Sequence, residues 1–444
     1  MRILLVNPPV LRSENSSAEN DFRLKGIVKT PFRSSIRGFH FLLRHLGLEN
    51  SIEYGVRAGS RWPWTQPAPP GAIHYPFMMG YASSFLRAHG HATMILDSIA
   101  EEDYSYSSFF KKVKRYNPEL IIFEISTPTL DIDMWIAGKL AADYHVALAG
   151  PHRSLESNCA SLRDALPNVL FFLPGEYIRS ALRVANTMEA GTYAPDIVGN
   201  LDDIPMPDRS FPVAHNYYDP SMPTPRPQLQ LYASKGCPFQ CIYCWWPKAM
   251  YGGKYSARSP QCVEKEIRFC IDTWGYKSIF FDDDTFNIGD DRIAELCERL
   301  RRIGLPWSMM GRLDTSSREI FDTMVACGCV GMRFGVETFN SDIRHRIGKG
   351  LNDVAVDETL GYIASRYPGL MIHLTMMKNL PGQDEAIHAH DMSLLRQHGF
   401  SVDNPLRHFQ LSSCMALPGT ALHEHMCHAQ DGGGSALGQR RTFK

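Results

Sequence analysis

The stretch Lys235–Pro247 reads KGCPFQCIYCWWP and sets three cysteines, Cys237, Cys241 and Cys244, within eight residues. Three soft thiolates in one loop favour zinc or an iron–sulfur cluster. Structural zinc is nearly always closed by a fourth ligand. The next candidates, Cys262 and Cys270, fall in a helical pattern rather than a second paired knuckle. A cubane cluster normally takes four cysteines, so three leave one iron open to something other than protein. The competing readings are a zinc knob and cysteines buried as small hydrophobes.

Outward from this loop, a series of short β-rich runs alternates with helical patterns: QLQLYAS, SIFFDDD, WSMMGRLD, GMRFGVET, MIHLTMMK and RHFQLSSCMA, with DDRIAELCERLRRIG as a clear helix between two of them. Six βα repeats predict a partial or closed (β/α) barrel. Barrel chemistry gathers at the carboxyl ends of strands. Polar residues collect there: Asp282–Asp284, Arg312 and Asp314, Glu337 and Thr338, Lys378 and Asn379. For each acidic residue a helix cap or a solvated turn is the competing role.

Upstream, RILLVNP, ATMILD, LIIFEIS, VALAGPH and VLFFLPGE alternate with helical runs, a rhythm that predicts a doubly wound parallel sheet with its ligand crevice at the strands' carboxyl ends. No GxGxxG follows the first strand, which disfavours an ordinary dinucleotide site. Between the two series the stretch LDDIPMPDRSFPVAHNYYDPSMPTPRPQ is rich in proline and has no periodicity, and reads as a surface linker. The patterns divide the chain into 1–188 (sheet domain), 189–228 (linker), 229–426 (barrel) and 427–444 (a tail without periodicity, expected to be disordered). The HEHMCH segment, His423–His428, looks metal-like but is expected to be a last helical turn.

The 46 basic and 47 acidic residues nearly balance. No field therefore draws nucleic acid, and a small-molecule substrate is expected. No run approaches the ~20 apolar residues of a membrane span, and the start MRILLVNPP lacks a signal-peptide pattern. Eleven cysteines with one tight cluster argue for metal in a reducing compartment, so the cytoplasm is expected.

The CxxxCxxC spacing of SKGCPFQCIYC after a barrel strand resembles the radical S-adenosylmethionine (SAM) superfamily. With the N-terminal sheet, DDIPMPDR, HYPFMMGYASSFLRAHGH, LAGPHRS, LPGEY, IFFDDDTF, GVET and the LPG at Leu380–Gly382, the chain resembles the cobalamin-binding class of radical SAM enzymes over about residues 2–420. The resemblance implies a Rossmann-like cobalamin domain followed by a radical SAM partial (β/α)6 TIM barrel. It implies a [4Fe-4S] cluster on Cys237, Cys241 and Cys244, with SAM on its open iron. Tyr243 would pack near the adenine, Asp283 would contact the SAM amino group, and Glu337 would make a polar SAM contact. Arg312 is placed to serve the SAM carboxylate. Ser126, Thr127, Gly150, Pro151, His152, Gly175 and Glu176 would lie near the corrin. The absence of a DxHxxG motif implies cobalt without a histidine beneath it. Trp245 and Trp246 are expected either to wall the substrate cavity or simply to pack the loop.

The activity implied is reductive cleavage of SAM followed by transfer of methyl from methylcobalamin to an unactivated carbon, with a reducing partner such as flavodoxin or ferredoxin. Two alternatives are a cobalamin-dependent cyclase or rearrangement enzyme, and a non-catalytic iron–sulfur or corrinoid carrier. Methylthiotransferases carry three further cluster cysteines near the N-terminus, whereas only Cys159 precedes the linker here.

Overall fold

The computed structural model describes residues 1–9, 12–13, 52–53, 73–101, 103, 105–125, 129–151, 160–222, 224–351 and 355–431. The chain divides into two compact units. The first contains the described residues of 1–199 and 203–220, and the second those of 200–202 and 221–434.

In the first unit, β1 (Arg2–Asn7), α1 (Phe77–Ala88), β2 (Ala92–Asp97), α2 (Tyr106–Tyr116), β3 (Leu120–Glu124), α3 (Leu130–Leu140), β4 (His145–Gly150), α4 (Ala160–Ala165), β5 (Phe171–Pro174), α5 (Ile178–Thr187) and β6 (Gly191–Thr192) follow one another. The strands pair in parallel in the order β2-β1-β3-β4-β5-β6. Apolar runs such as Ile3–Val6 and Leu120–Phe123 are buried throughout, as strands covered on both faces must be. The order reverses between β1 and β3, and in doubly wound sheets a ligand crevice opens at that reversal. The helices take local punctuation: Ser105 accepts the Ser108 amide at the start of α2, and Asn117, at φ 51°, closes it.

The proline-rich stretch, expected as a surface linker, is instead built into the units. Tyr217, 1% exposed, donates its hydroxyl to buried Asp97 at 2.7 Å. Asp208 accepts from Ser83 Oγ at 2.7 Å and pairs with Arg87 at 3.0 Å. Tyr193, Val198, Leu201, Phe211 and Met222 are buried at irregular intervals, so their burial leaves no period to read.

The second unit carries β7 (Gln228–Leu231), a ribbon of β8 (Ser234–Lys235) and β9 (Ser256–Ala257) enclosing α6 (Trp246–Tyr251), then α7 (Pro260–Trp274), β10 (Ser278–Phe281), α8 (Asp290–Ile303), β11 (Trp307–Gly311), α9 (Arg318–Ala326), β12 (Cys329–Glu337), α10 (Ser341–Arg346), α11 (Leu360–Arg366), β13 (Met371–Lys378), α12 (Glu385–Gln397), β14 (Arg407–Ser413) and α13 (Ala421–Asp431). The six strands β7, β10, β11, β12, β13 and β14 pair in parallel in sequence order, forming a partial (β/α)6 barrel. Alternate residues, among them Leu229, Ile279, Met309, Phe334 and Leu374, join the core beneath the helices. The opposite face carries Gln228, Gln230, Ser278, Ser308, Arg333 and His373, all buried. A barrel interior this polar departs from the branched apolar filling of a purely structural barrel.

Helix α13 runs through HEHMCH to Asp431, beyond Cys427 where the tail was expected to begin. The next breaker in the sequence is the glycine run that follows Asp431, so nothing in the residues stops the helix earlier.

Candidate active site

The cysteine loop leaves β8 through Gly236, whose φ of 75° and close approach to the Lys254 carbonyl leave no room for a side chain. Two of the three aspartates after β10 brace this exit. Asp283, fully buried, accepts from the Ala233 amide at 3.0 Å and from Ser234 Oγ at 2.5 Å. Asp284 accepts from the Gly236 amide at 3.0 Å. Thr285 Oγ1 lies 3.4 Å from Cys237 Sγ. Farther along, the Ile242 amide donates to Ile347 O at 2.9 Å, and Ile242 O accepts from the Leu422 amide at 3.0 Å. Trp245 and Trp246 meet edge to face with centroids 6.5 Å apart, 7% and 5% exposed.

Cys237, Cys241 and Cys244 are half-buried residues and free cysteines. Burial pushes Cys237 and Cys244 above the ordinary thiol range, and the charges of neighbouring cysteines and of Asp284 push in the same direction. Three thiolates so close together need a bound cation to remain deprotonated. Among the described residues, no three of His, Cys, Asp or Glu converge on a single metal ion. Three clustered thiols suit a multi-iron cluster that leaves one iron open.

Around the loop lies a buried polar network. Glu337 ends β12 at φ 70°, after a register shift between Gly335 and Glu337. A non-glycine residue in the left-handed region is uncommon and gathers at functional sites. Its carboxylate pairs with Lys349 Nζ at 3.0 Å and is hydrogen-bonded to the Tyr243 hydroxyl, which burial and that carboxylate push well above the usual phenol range. Gly335 makes the space, since a Cβ there would lie 2.7 Å from both Glu337 Oε1 and Lys349 Nζ. Arg312, 4% exposed, grips Asp314 through two bonds of 2.8 and 2.7 Å, donates to Lys349 O at 3.0 Å and lies 3.7 Å from the centre of the Phe239 ring.

The structure thus brings Tyr243, Arg312 and Glu337 together around the cysteine loop, while Asp283 faces the backbone that launches it. Lys349, Phe239 and Thr285 escaped the sequence reading. Lys349 stands in a GKG turn, and its burial beside a carboxylate is invisible in one dimension. In the first unit, Gly150 and Gly175, with φ of 110° and 68°, are joined by a backbone bond of 2.8 Å at the carboxyl ends of β4 and β5, and Pro151 follows directly. Glu176 there is fully buried and accepts from the Val198 amide at 2.6 Å. Ser126, Thr127 and His152 lie outside the described residues. At the same edge, Asn7 Oδ1 and Ser98 Oγ are buried without a protein partner among the described residues. Orphaned polar atoms at a sheet's carboxyl edge suit a polar ligand.

Residues 231–390, in the unit that carries the three-cysteine loop, match the family model of the radical SAM superfamily. The fold resembles the radical SAM methyltransferase TsrM from Kitasatospora setae, solved with tryptophan substrate and a SAM analog, at a TM-score of 0.64 and 13% identity, over 82% of this chain and 75% of that one. It also resembles the cobalamin-dependent SAM radical enzyme OxsB, at a TM-score of 0.57 and 14% identity, over 82% and 54%. In sequence the chain is 24% identical over 306 residues to an uncharacterized methyltransferase of Pyrococcus horikoshii, covering 63% of this chain and 64% of the relative, and so spans less than two thirds of that protein's length. It is 23% identical over 382 residues to the cytidylyl-2-hydroxyethylphosphonate methyltransferase of Streptomyces wedmorensis, covering 69% of each. No helix among the described residues is long and apolar enough to cross a membrane.

Proposed function

We propose that this protein is a cobalamin-dependent radical SAM methyltransferase acting on an unactivated carbon of a small molecule. The observation that carries the proposal is the three-thiol loop set against a strained glutamate on a barrel strand end. A [4Fe-4S] cluster with SAM at this loop would supply one-electron cleavage of SAM, and cobalamin at the carboxyl edge of the first unit would supply the methyl group.

The chain's own residues divide the remaining work. Cys237, Cys241 and Cys244 would hold the irons. Asp283 and Asp284 fix the loop's backbone, and Glu337 offers a carboxylate for the SAM ammonium. Arg312 keeps its charge through Asp314, although burial opposes it, and stands over Phe239 within reach of a carboxylate. Asn7, Ser98, Gly150, Pro151, Gly175 and Glu176 would line the resting place of a corrin and its amides. The electron would come from a low-potential partner of the flavodoxin or ferredoxin kind.

The test is product stoichiometry after anaerobic reconstitution. A methyltransferase acting on its substrate forms 5′-deoxyadenosine and S-adenosylhomocysteine in about equal amounts, and the second only with cobalamin present. 5′-Deoxyadenosine without matching S-adenosylhomocysteine would identify a cyclase or rearrangement enzyme. Neither product with any reductant would identify a carrier.

A further inference from the structure

Lys349 is 7% exposed, and lysines are almost never buried without a partner. The backbone that carries it lies against the cysteine loop. Ile347 O accepts from the Ile242 amide, and Gly348, at φ 66°, runs so near that a Cβ there would be 3.0 Å from Gln240 O and 3.8 Å from the Cys241 Cα. The Lys349 carbonyl is held by Arg312, whose own charge is matched by Asp314 in a two-bond pair. The Lys349 ammonium meets Glu337 at 3.0 Å, on the side that Gly335 leaves clear.

We infer that Lys349 is an electrostatic positioning residue of the cysteine loop: its buried charge fixes the Glu337 carboxylate and makes the metal-loaded loop easier to reduce. This rests on the reading of that loop as an iron–sulfur site. The step is the addition of one electron from a low-potential one-electron donor of the flavodoxin or ferredoxin class. No bond breaks and Lys349 keeps its proton, so the site gains one negative charge. A fixed cation nearby favours the more negative state, and a fixed anion disfavours it. The charge is secured by geometry, because the Glu337 carboxylate meets the ammonium at 3.0 Å in a space where both side chains are less than a tenth exposed.

The test uses the full chain, reconstituted anaerobically without SAM, as wild type, Lys349→Met, Lys349→Arg and Glu337→Gln. Iron and sulfide are counted, and the reduced fraction is followed by electron paramagnetic resonance at poised potentials with dithionite as the electron source. Removing a unit charge from a partly desolvated site should lower the reduced-to-oxidised ratio of Lys349→Met about tenfold at fixed potential. Lys349→Arg should stay near wild type, and Glu337→Gln should shift the ratio upward. A full iron content with an unshifted Lys349→Met overturns the inference. So does a shift of Lys349→Met and Glu337→Gln in the same direction, which would mean general disturbance of the loop. If Lys349→Met fails to hold iron, the upward shift of Glu337→Gln and the wild-type behaviour of Lys349→Arg decide, and failure of either overturns it. A wild-type chain that takes up no iron instead overturns the reading of the loop itself.

Discussion

Gly236 and Glu337 both hold positive φ, for opposite reasons. At Gly236 the space is already taken by the Lys254 carbonyl, so Gly236→Ala must push apart the two strands of the β8–β9 ribbon. We expect it to lose at least about 2 kcal/mol of stability and most of its reconstituted iron, measured by urea unfolding and iron assay. Glu337 accepts the same backbone region with a side chain, and the gain is a carboxylate turned to meet Lys349 and Tyr243. Glu337→Ala should leave iron content intact and weaken SAM binding by roughly 1.5–3 kcal/mol, the scale of a lost charged hydrogen bond. Calorimetric titration with SAM checks this, and unchanged affinity would reduce Glu337 to a structural turn.

Among the elements, α7 is tied to the end of β7, from which the chain runs on to the cysteine loop. Ser259 caps it by accepting the Cys262 amide, and Pro260 opens its first turn. Arg258, just before the cap, bonds Glu266 at 2.6 Å, Asp202 at 3.0 Å and the Tyr232 carbonyl at 3.0 Å. One buried guanidinium thus ties the end of β7 to the helix. Arg258→Ala removes the guanidinium that Glu266, 1% exposed, meets at 2.6 Å, and breaking a buried pair of this kind costs about 3–5 kcal/mol. The denaturation midpoint should fall with little change in slope. A loss below about 1 kcal/mol would show that the pair is not a structural tie.

For the whole molecule, a formal net charge of −1 makes the pH dependence of stability near neutrality a matter of individual groups. In the first unit one of these is Asp97. Burial raises its pKa above 3.8, although Ala100, Tyr217, Asn7 and Ile99 all donate to it. An acid whose folded pKa is raised binds its proton more tightly when folded. Its contribution to stability is therefore fully present below about pH 3.8 and is lost as pH rises through the folded pKa. Asp97→Asn keeps the acceptor for Asn7 and the two amides and can donate to the Tyr217 oxygen. It should remove that slope, so the difference in unfolding free energy between variant and wild type should grow in the variant's favour as pH rises from 4 to 8. A pH-independent difference would assign Asp97 an unshifted pKa.

The sequence by itself determined the architecture and the spacing of the three cysteines. Apolar runs such as RILLVN and LIIFE, punctuated by turn residues, specify buried parallel strands whatever surrounds them, and the CxxxCxxC spacing is written along the chain itself. These signals are local, carried by neighbours in sequence. Only the tertiary structure decided what surrounds the loop. Lys349 reaches Glu337 from twelve positions on, and Arg312 reaches Phe239 of the cysteine loop from another strand end. Tyr217 reaches Asp97 across 120 positions from a stretch without periodicity. Burial converts an ordinary GKG turn into a charge held against Glu337, and it sets Asp283 against the Ala233 amide and the Ser234 hydroxyl. Such roles depend on which distant groups share a desolvated space, and chain folding alone sets that.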